Sequence, residues 1–174
     1  AWIYDTYDRM HPGGNNLAVV TGKPLEMGGS VGRESATAQG SLYATRQLLK
    51  RGAVPGLRSI DGSRVVVQGY GNAGGIAARL FHGDGGKIVA VSDSRGGICN
   101  EDGLDPFAVQ RHKDETGSVI GFSDSTAISN EELLAYDCDI LIPAALECQL
   151  HADNAADVQA KLIVECANGP LTAI

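Results

Sequence analysis

Several things are missing from these 174 residues, and each absence excludes a class of protein. No apolar run approaches the ~20 residues that a membrane-spanning helix needs, so no membrane span is expected. An excess of basic residues is absent too. Fourteen Lys and Arg stand against twenty-one Asp and Glu, for a formal charge of −7 and an isoelectric point near 5.0. A nucleic-acid groove would need a basic stripe, so nucleic acid is not expected as a partner. The four cysteines, Cys99, Cys138, Cys148 and Cys166, are scattered with no Cys-x-x-Cys pair, and no histidine stands at metal-ligand spacing. They read as reduced packing thiols in a cytoplasmic protein, and no metal site is expected. His11, His82, His112 and His151 have no partnered nucleophile, and no catalytic residue is assigned within the chain. There is no leader-peptide pattern, internal repeat or low-complexity tract.

What is present is concentrated in one stretch. The β-branched run Arg64-Val65-Val66-Val67-Gln68 flows into Gly69-Tyr70-Gly71-Asn72-Ala73-Gly74, and a helix-period pattern follows. In Gly-x-Gly-x-x-Gly the first glycine allows the tight strand-to-helix turn, the second lets a pyrophosphate approach, and the third lets helix and strand pack closely. Backbone N–H groups at the helix start, with the positive end of its dipole behind them, then face the phosphates. A second buried-strand pattern, Lys87 to Ser92, ends at Asp93, 19 residues after Gly74. That is close to the ~20 expected for the acid that accepts from an adenosine ribose hydroxyl. The order strand, glycine turn, helix, strand, acid indicates a dinucleotide site.

The remaining pattern fits the same architecture. Residues 11–32 read as a long loop. From about Ser35 a helix places Ala38, Leu42, Thr45 and Leu49 on one face, with Tyr43 and Leu48 beside it, and Gly52 and Pro55 close it. Arg95-Gly96-Gly97 reads as a turn. Asp105-Pro106 is an N-cap and first-turn proline for a helix to about Thr116. Ser118–Phe122 reads as a short strand, and Ser129 with Glu132 as a capping box opening a short helix. Cys138–Pro143 and Lys161–Cys166 read as buried strands, with a helix over His151–Gln159 between them. Apolar strands alternating with helices imply an α/β fold, a doubly wound, mostly parallel sheet of Rossmann type with both faces covered.

In such a sheet ligands sit beyond the carboxyl ends of the strands. That rule selects Gly69, Gly71 and Gly74, then Asp93, Ser94 and Arg95, then Ala144 and Ala145, then Asn168. The two alanines are small enough to let adenosine or ribose lie against backbone. Asn168 offers an amide at the nicotinamide end, although Asn-Gly-Pro is also ordinary turn chemistry. Asp93 favours NAD by repelling a 2′-phosphate, while Arg95 could pair with one, so NADP or dual use stays open.

These residues resemble a known family. Thr21-Gly22-Lys23-Pro24, Gly28-Gly29-Ser30 with Gly32-Arg33-Glu34 and Ala36-Thr37, Gln68–Gly74, Val91–Asp93 with Gly96-Gly97-Ile98, Pro143–Glu147 and Ala167–Pro170 look like the cofactor-binding half of amino-acid dehydrogenases. The nearest likeness is to hexameric glutamate dehydrogenase, with the leucine, phenylalanine and valine enzymes more distant. The resemblance implies that Thr37 contacts the nicotinamide carboxamide and that Asn72, beside Ala73, touches the cofactor. It further implies that Asp93 and Ser94 form the adenosine-ribose loop, Ala144 and Ala145 a later strand-end contact, and Asn168 a contact near the nicotinamide ribose. Cys166 stands where glycine is common, and Cys148 where asparagine is common.

The family's catalytic lysine and aspartate would lie in an amino-terminal domain that this chain does not contain. Residues 1–28 are expected to be the tail of that domain, and residues 29–174 a dinucleotide-binding domain cut short at its carboxyl end. The expected activity of the whole enzyme interconverts L-glutamate with 2-oxoglutarate and ammonium in a homo-oligomer, a hexamer by resemblance. A leucine, phenylalanine or valine dehydrogenase, or a non-catalytic nucleotide-binding module, are the alternatives.

Overall fold

The computed structural model describes residues 1–172; Ala173 and Ile174, on which the expected domain ends, lie outside the described residues. The chain divides into two units, the first Ala1–Ala36 and the second from Thr37 onward. In the first, helix α1 (Trp2–Met10) exposes Trp2, Ile3 and Met10 and is followed by two single-turn 3-10 segments, Leu17–Val19 and Leu25–Met27. The Lys23 ammonium organises this loop, donating to the carbonyls of Leu17 and Val20 at 2.7 and 2.5 Å.

The second unit is built on one six-stranded sheet. Its strands are β1 (Arg64–Gln68), β2 (Lys87–Asp93), β3 (Gly96–Cys99), β4 (Thr126–Ile128), β5 (Ile140–Pro143) and β6 (Leu162–Ile163), in the order β4-β3-β2-β1-β5-β6. β1 runs parallel to both β2 and β5, and β5 to β6, while β3 and β4 form an antiparallel extension. Helix α2 (Ala36–Lys50) precedes β1, and α3 (Asn72–Gly83), α4 (Pro106–Thr116) and the short α5 (Asn130–Leu134) connect successive strands.

The expected α/β, doubly wound, mostly parallel sheet is the observed fold, and both faces are covered. Val65, Val67, Ile140 and Ile142 face one core with residues of α2, α3 and α4; Val66 and Leu141 face the other with Leu133 and Leu134 of α5 and with Leu150. This alternation is the period of two that a pleated strand imposes. The β1–β2 register shifts at Val65/Val66, which gives β2 one extra residue. Val89 and Ala90 consequently both lie in the second core, whereas Ile88 and Val91 lie in the first. In α2 the buried residues are Ala38, Leu42, Thr45 and Leu49, the face its periodicity predicts. No helix among the described residues is long and apolar enough to cross a membrane.

Four sequence expectations are corrected. The turn at 95–97 belongs to a tight β2–β3 hairpin in which Asp93 pairs with Gly96 and Ser92 with Gly97. Ser118–Phe122 is not a strand but an irregular turn. Gly117, at φ +83°, ends α4, and the Val119 N–H and the Ser118 hydroxyl then donate to the Asp93 carboxylate instead of joining a ladder. The helix expected at His151–Gln159 shrinks to a 3-10 turn, Ala155–Asp157, because the Asn154 side chain takes the His151 N–H and donates to the Gln149 carbonyl. The expected strand at 161–166 narrows to Leu162–Ile163, though Val164 and Cys166 still donate to the Leu141 and Pro143 carbonyls at 2.8 and 2.9 Å.

Candidate functional site

The carboxyl ends of β1, β2, β5 and β6 bring the sequence-selected residues to one edge of the sheet. At the end of β1 the three glycines answer three different steric demands. Gly69 has φ +88°, and a Cβ there would lie 2.8 Å from the Ala144 carbonyl oxygen and 2.9 Å from the Ala145 Cβ. A Cβ on Gly74 would collide with the Gly69 carbonyl. A Cβ on Gly71 would meet nothing within 4 Å; this position opens to solvent, and as the N-cap of α3 it places no side chain over the first turn. The cradle therefore has a closed floor of backbone and an open mouth, the shape a pyrophosphate requires. Asn72 and Ala73 form the first turn of α3 at that mouth, with Asn72 exposed.

The turn is gripped from α4. The Tyr70 hydroxyl donates to the Pro106 carbonyl at 2.9 Å, and burial pushes this phenol well above its ordinary range. The Lys113 ammonium donates to the Tyr70 carbonyl at 2.6 Å and lies 4.0 Å from Asp93.

Asp93 itself faces inward, its side chain only 7% exposed. Oδ1 accepts from the Arg95 N–H at 2.8 Å and the Ser118 hydroxyl at 3.2 Å, and Oδ2 accepts from the Val119 N–H at 2.8 Å. Burial raises its pKa, but these donors and the Lys113 charge outweigh burial and hold the carboxyl below its ordinary value. A carboxylate has roughly four acceptor positions, so three are taken by the chain itself. Ser94 and Arg95 are exposed beside it and border a cleft of about 470 Å³ that also reaches Ile120, Ile128 and Asn130.

Beyond β5 and β6 the geometry is of another kind. The loop after β5 carries Ala144 and Ala145, and the loop after β6 carries Asn168, exposed. Backbone hydrogen bonds lace the two loops together: Cys148 N–H to Gly169, Gln149 N–H and Leu150 N–H to Pro170, and Thr172 N–H to Leu150, between 2.7 and 3.0 Å. Thr37 lies in the first turn of α2, one turn before Ser41, whose hydroxyl meets the Cys166 thiol at 2.9 Å. Thr37 and Asn168 thus stand on segments joined by that contact. Cys166 is buried, and burial pushes its thiol up.

Sequence reasoning missed Lys113, Ser118, Gln68 and Gln149. Gln68 carried a visible signal, being a polar residue that follows the apolar run Val65–Val67 just before the glycine turn. The other three act at positions that no local pattern marks.

The parallel core sheet with this glycine turn at its carboxyl edge defines a Rossmann-type α/β domain. The sequence pattern of the Glutamate/Leucine/Phenylalanine/Valine dehydrogenase family matches residues 28–173, and the chain belongs to that family. Solved structures agree. The hetero-hexameric glutamate dehydrogenase of Thermus thermophilus in its leucine-bound form is 38% identical over 97% of this chain, with a TM-score of 0.82. The glutamate dehydrogenase of Peptoniphilus asaccharolyticus is 29% identical over 98%, with a TM-score of 0.71. A Plasmodium falciparum glutamate dehydrogenase, 23% identical with a TM-score of 0.83, shares the fold. The chain spans 38–39% of the length of these three.

Proposed function

We propose that this chain is the dinucleotide-binding part of an NAD(P)-dependent glutamate dehydrogenase, and that it binds the cofactor without turning over substrate on its own. The observation that carries the reading is the cradle at Gly69, Gly71 and Gly74, where two Cβ positions are blocked by backbone and the third stands open. A pyrophosphate fits such a cradle, so the residues present suit a dinucleotide. In this reading Gly69–Gly74, including Asn72 and Ala73, hold the pyrophosphate, and Asp93, Ser94 and Arg95 flank the adenosine ribose. Ala144 and Ala145 lie under the sugar, and Thr37 and Asn168 orient the nicotinamide. When bound, the nicotinamide supplies hydride transfer, and the chain supplies position and electrostatics.

NAD is the proposed cofactor, with NADP accepted as well. The Asp93 carboxylate is largely occupied by internal donors, so it repels a 2′-phosphate less than a free acid would, and Arg95 stands exposed beside it. The groups that move protons on glutamate are assigned to an amino-terminal domain of the whole enzyme, of which residues 1–28 would be the tail and 29–174 the cofactor domain. The whole enzyme is proposed to be a hexamer, in keeping with the hexameric Thermus relative. All four cysteines are free thiols, which suits a reducing cytoplasm.

Calorimetry of the 174-residue chain with NADH, NADPH and ADP-ribose, alongside a glutamate turnover assay, tests this. We expect heat from all three ligands and no turnover. Absence of binding overturns the dinucleotide reading, and robust turnover overturns the assignment of the catalytic groups elsewhere. Assays of the whole enzyme with glutamate, leucine and phenylalanine decide the substrate.

A further inference from the structure

One residue at this edge makes more ties than any local motif demands. Gln149 lies in the loop after β5, and four of its polar groups are used. Its side-chain Oε1 accepts from Gln68 Nε2 at 2.8 Å, and its Nε2 donates to the Glu147 carbonyl at 3.1 Å. Its N–H donates to the Pro170 carbonyl at 2.7 Å, and its own carbonyl accepts from the Asn154 side chain at 2.9 Å. Gln68 is 98% buried at the last position of β1, immediately before Gly69, and its backbone carbonyl accepts the Ala144 N–H at 2.8 Å. Gln149 therefore joins the strand that carries the glycine turn to the loop that carries Asn168.

The polar pair stands where apolar packing would serve stability better. Gln68 Oε1 and the hydroxyl of Ser92, its register partner on β2, are buried and find no hydrogen-bond partner among the described residues. Unsatisfied buried polar atoms are unfavourable, and their presence calls for a reason other than stability. The amide of Gln68 gains one specific contact here, the one to Gln149.

We infer that Gln149, anchored by Gln68, is a positioning residue for the proposed cofactor site: it sets the Asn168 loop at the nicotinamide end relative to the glycine turn at the pyrophosphate end. This rests on the dinucleotide reading above. Neither glutamine touches the nicotinamide in this scheme. They act through the backbone of residues 148–150 and 169–170. The consequence is selective, because ADP uses the glycine turn and the β2 end but carries neither the second ribose nor the nicotinamide that the Asn168 loop would meet.

The test is calorimetric titration of the chain and its Gln149→Leu variant with NADH and with ADP. We expect NADH affinity to fall about tenfold while ADP affinity stays within about twofold. Gln149→Glu keeps the acceptor for Gln68 and should restore NADH affinity to within about threefold of the unsubstituted chain. Gln68→Met, which leaves the bond from Gln149 Nε2 to the Glu147 carbonyl in place, should shift NADH in the same direction by a smaller factor. Equal loss of both ligands, or loss of neither, overturns the proposal. Amide hydrogen exchange without ligand gives a second reading. The N–H groups of Cys148, Gln149 and Leu150 should exchange faster in Gln149→Leu while that of Gly75 does not, and unchanged exchange at all of them likewise overturns it. If the unsubstituted chain binds neither NADH nor ADP, the dinucleotide reading fails, and the exchange experiment still decides whether Gln149 holds the loop.

Discussion

At the β1–α3 turn the backbone is held by what the side chains leave out, whereas the loops after β5 and β6 are held by what they put in. Gly69 and Gly74 let strand, helix and the residue-144 backbone come within contact distance, and any Cβ at either position meets main chain. The 144–150 and 166–172 loops have little regular structure and are stitched by donors and acceptors, with Gln149 at the centre. A steric device tolerates no substitution but needs only one short stretch of sequence. A hydrogen-bonded device degrades in steps and draws on residues far apart in the chain.

Gly74→Ala should break the first device outright. Alanine is the better helix former by about 1 kcal/mol, yet its Cβ would have to displace the Gly69 carbonyl, which is backbone and cannot rotate away. We expect a loss of about 3 kcal/mol in urea unfolding. Gly40→Ala in α2, where a Cβ meets nothing within 4 Å, should instead be neutral or stabilising. Equal effects at the two sites would show that close packing at 74 does not hold the turn.

Asp93→Asn probes the hydrogen-bonded kind of device at the β2 end. The substitution removes the charge that gathers the Arg95, Ser118 and Val119 donors and turns one acceptor into a donor, with an expected cost of about 2 kcal/mol at pH 7. Because the native pKa is depressed, the contribution is complete above the unfolded value of about 3.9 and fades as pH falls through the lower native value. The stability gap between the two proteins should accordingly close below about pH 4. A gap that is independent of pH would mean that the carboxylate charge plays no part in holding the 117–120 turn.

The same contrast explains which features could be read in advance. The glycine turn and the buried face of α2 follow local rules, one steric and one periodic, and the structure has both. The β2–β3 hairpin escaped because Gly96 and Gly97, ordinary turn signals, serve here as paired strand residues. Ser118–Phe122 has strand composition, but a carboxylate some 25 residues earlier takes its donors. The Gln68–Gln149 bond spans 81 positions, and no spacing rule connects them. Sterics and local caps such as Ser129 with Glu132 are written locally, whereas side-chain hydrogen bonds between distant segments are resolved only by the fold.

Gly71→Ala separates the cradle's shape from its stability. The backbone at Gly71 has φ −83°, which alanine adopts readily, and the added methyl meets open space. Stability should stay within about 0.5 kcal/mol while NADH and ADP-ribose both weaken about tenfold, read by calorimetry beside thermal unfolding. Undiminished binding would remove the phosphate from this position.

The smallest expected effect runs in the opposite direction and concerns Cys148. Its φ is +54°, one of two positive values outside glycine among the described residues. A side chain there strains the backbone unless it is Asn or Asp, whose short polar groups tolerate the left-handed region. The resemblance noted from sequence places asparagine at this position, and the backbone supplies the physical reason. The thiol is exposed, so its removal forfeits no packing, and the bond from the Cys148 N–H to the Gly169 carbonyl belongs to the main chain and survives. Cys148→Asn should therefore stabilise by about 0.5 kcal/mol, a rise of about 1–2 °C in Tm for a domain of this size. A fall in Tm would mean that the loop relaxes out of the left-handed conformation once the residue changes.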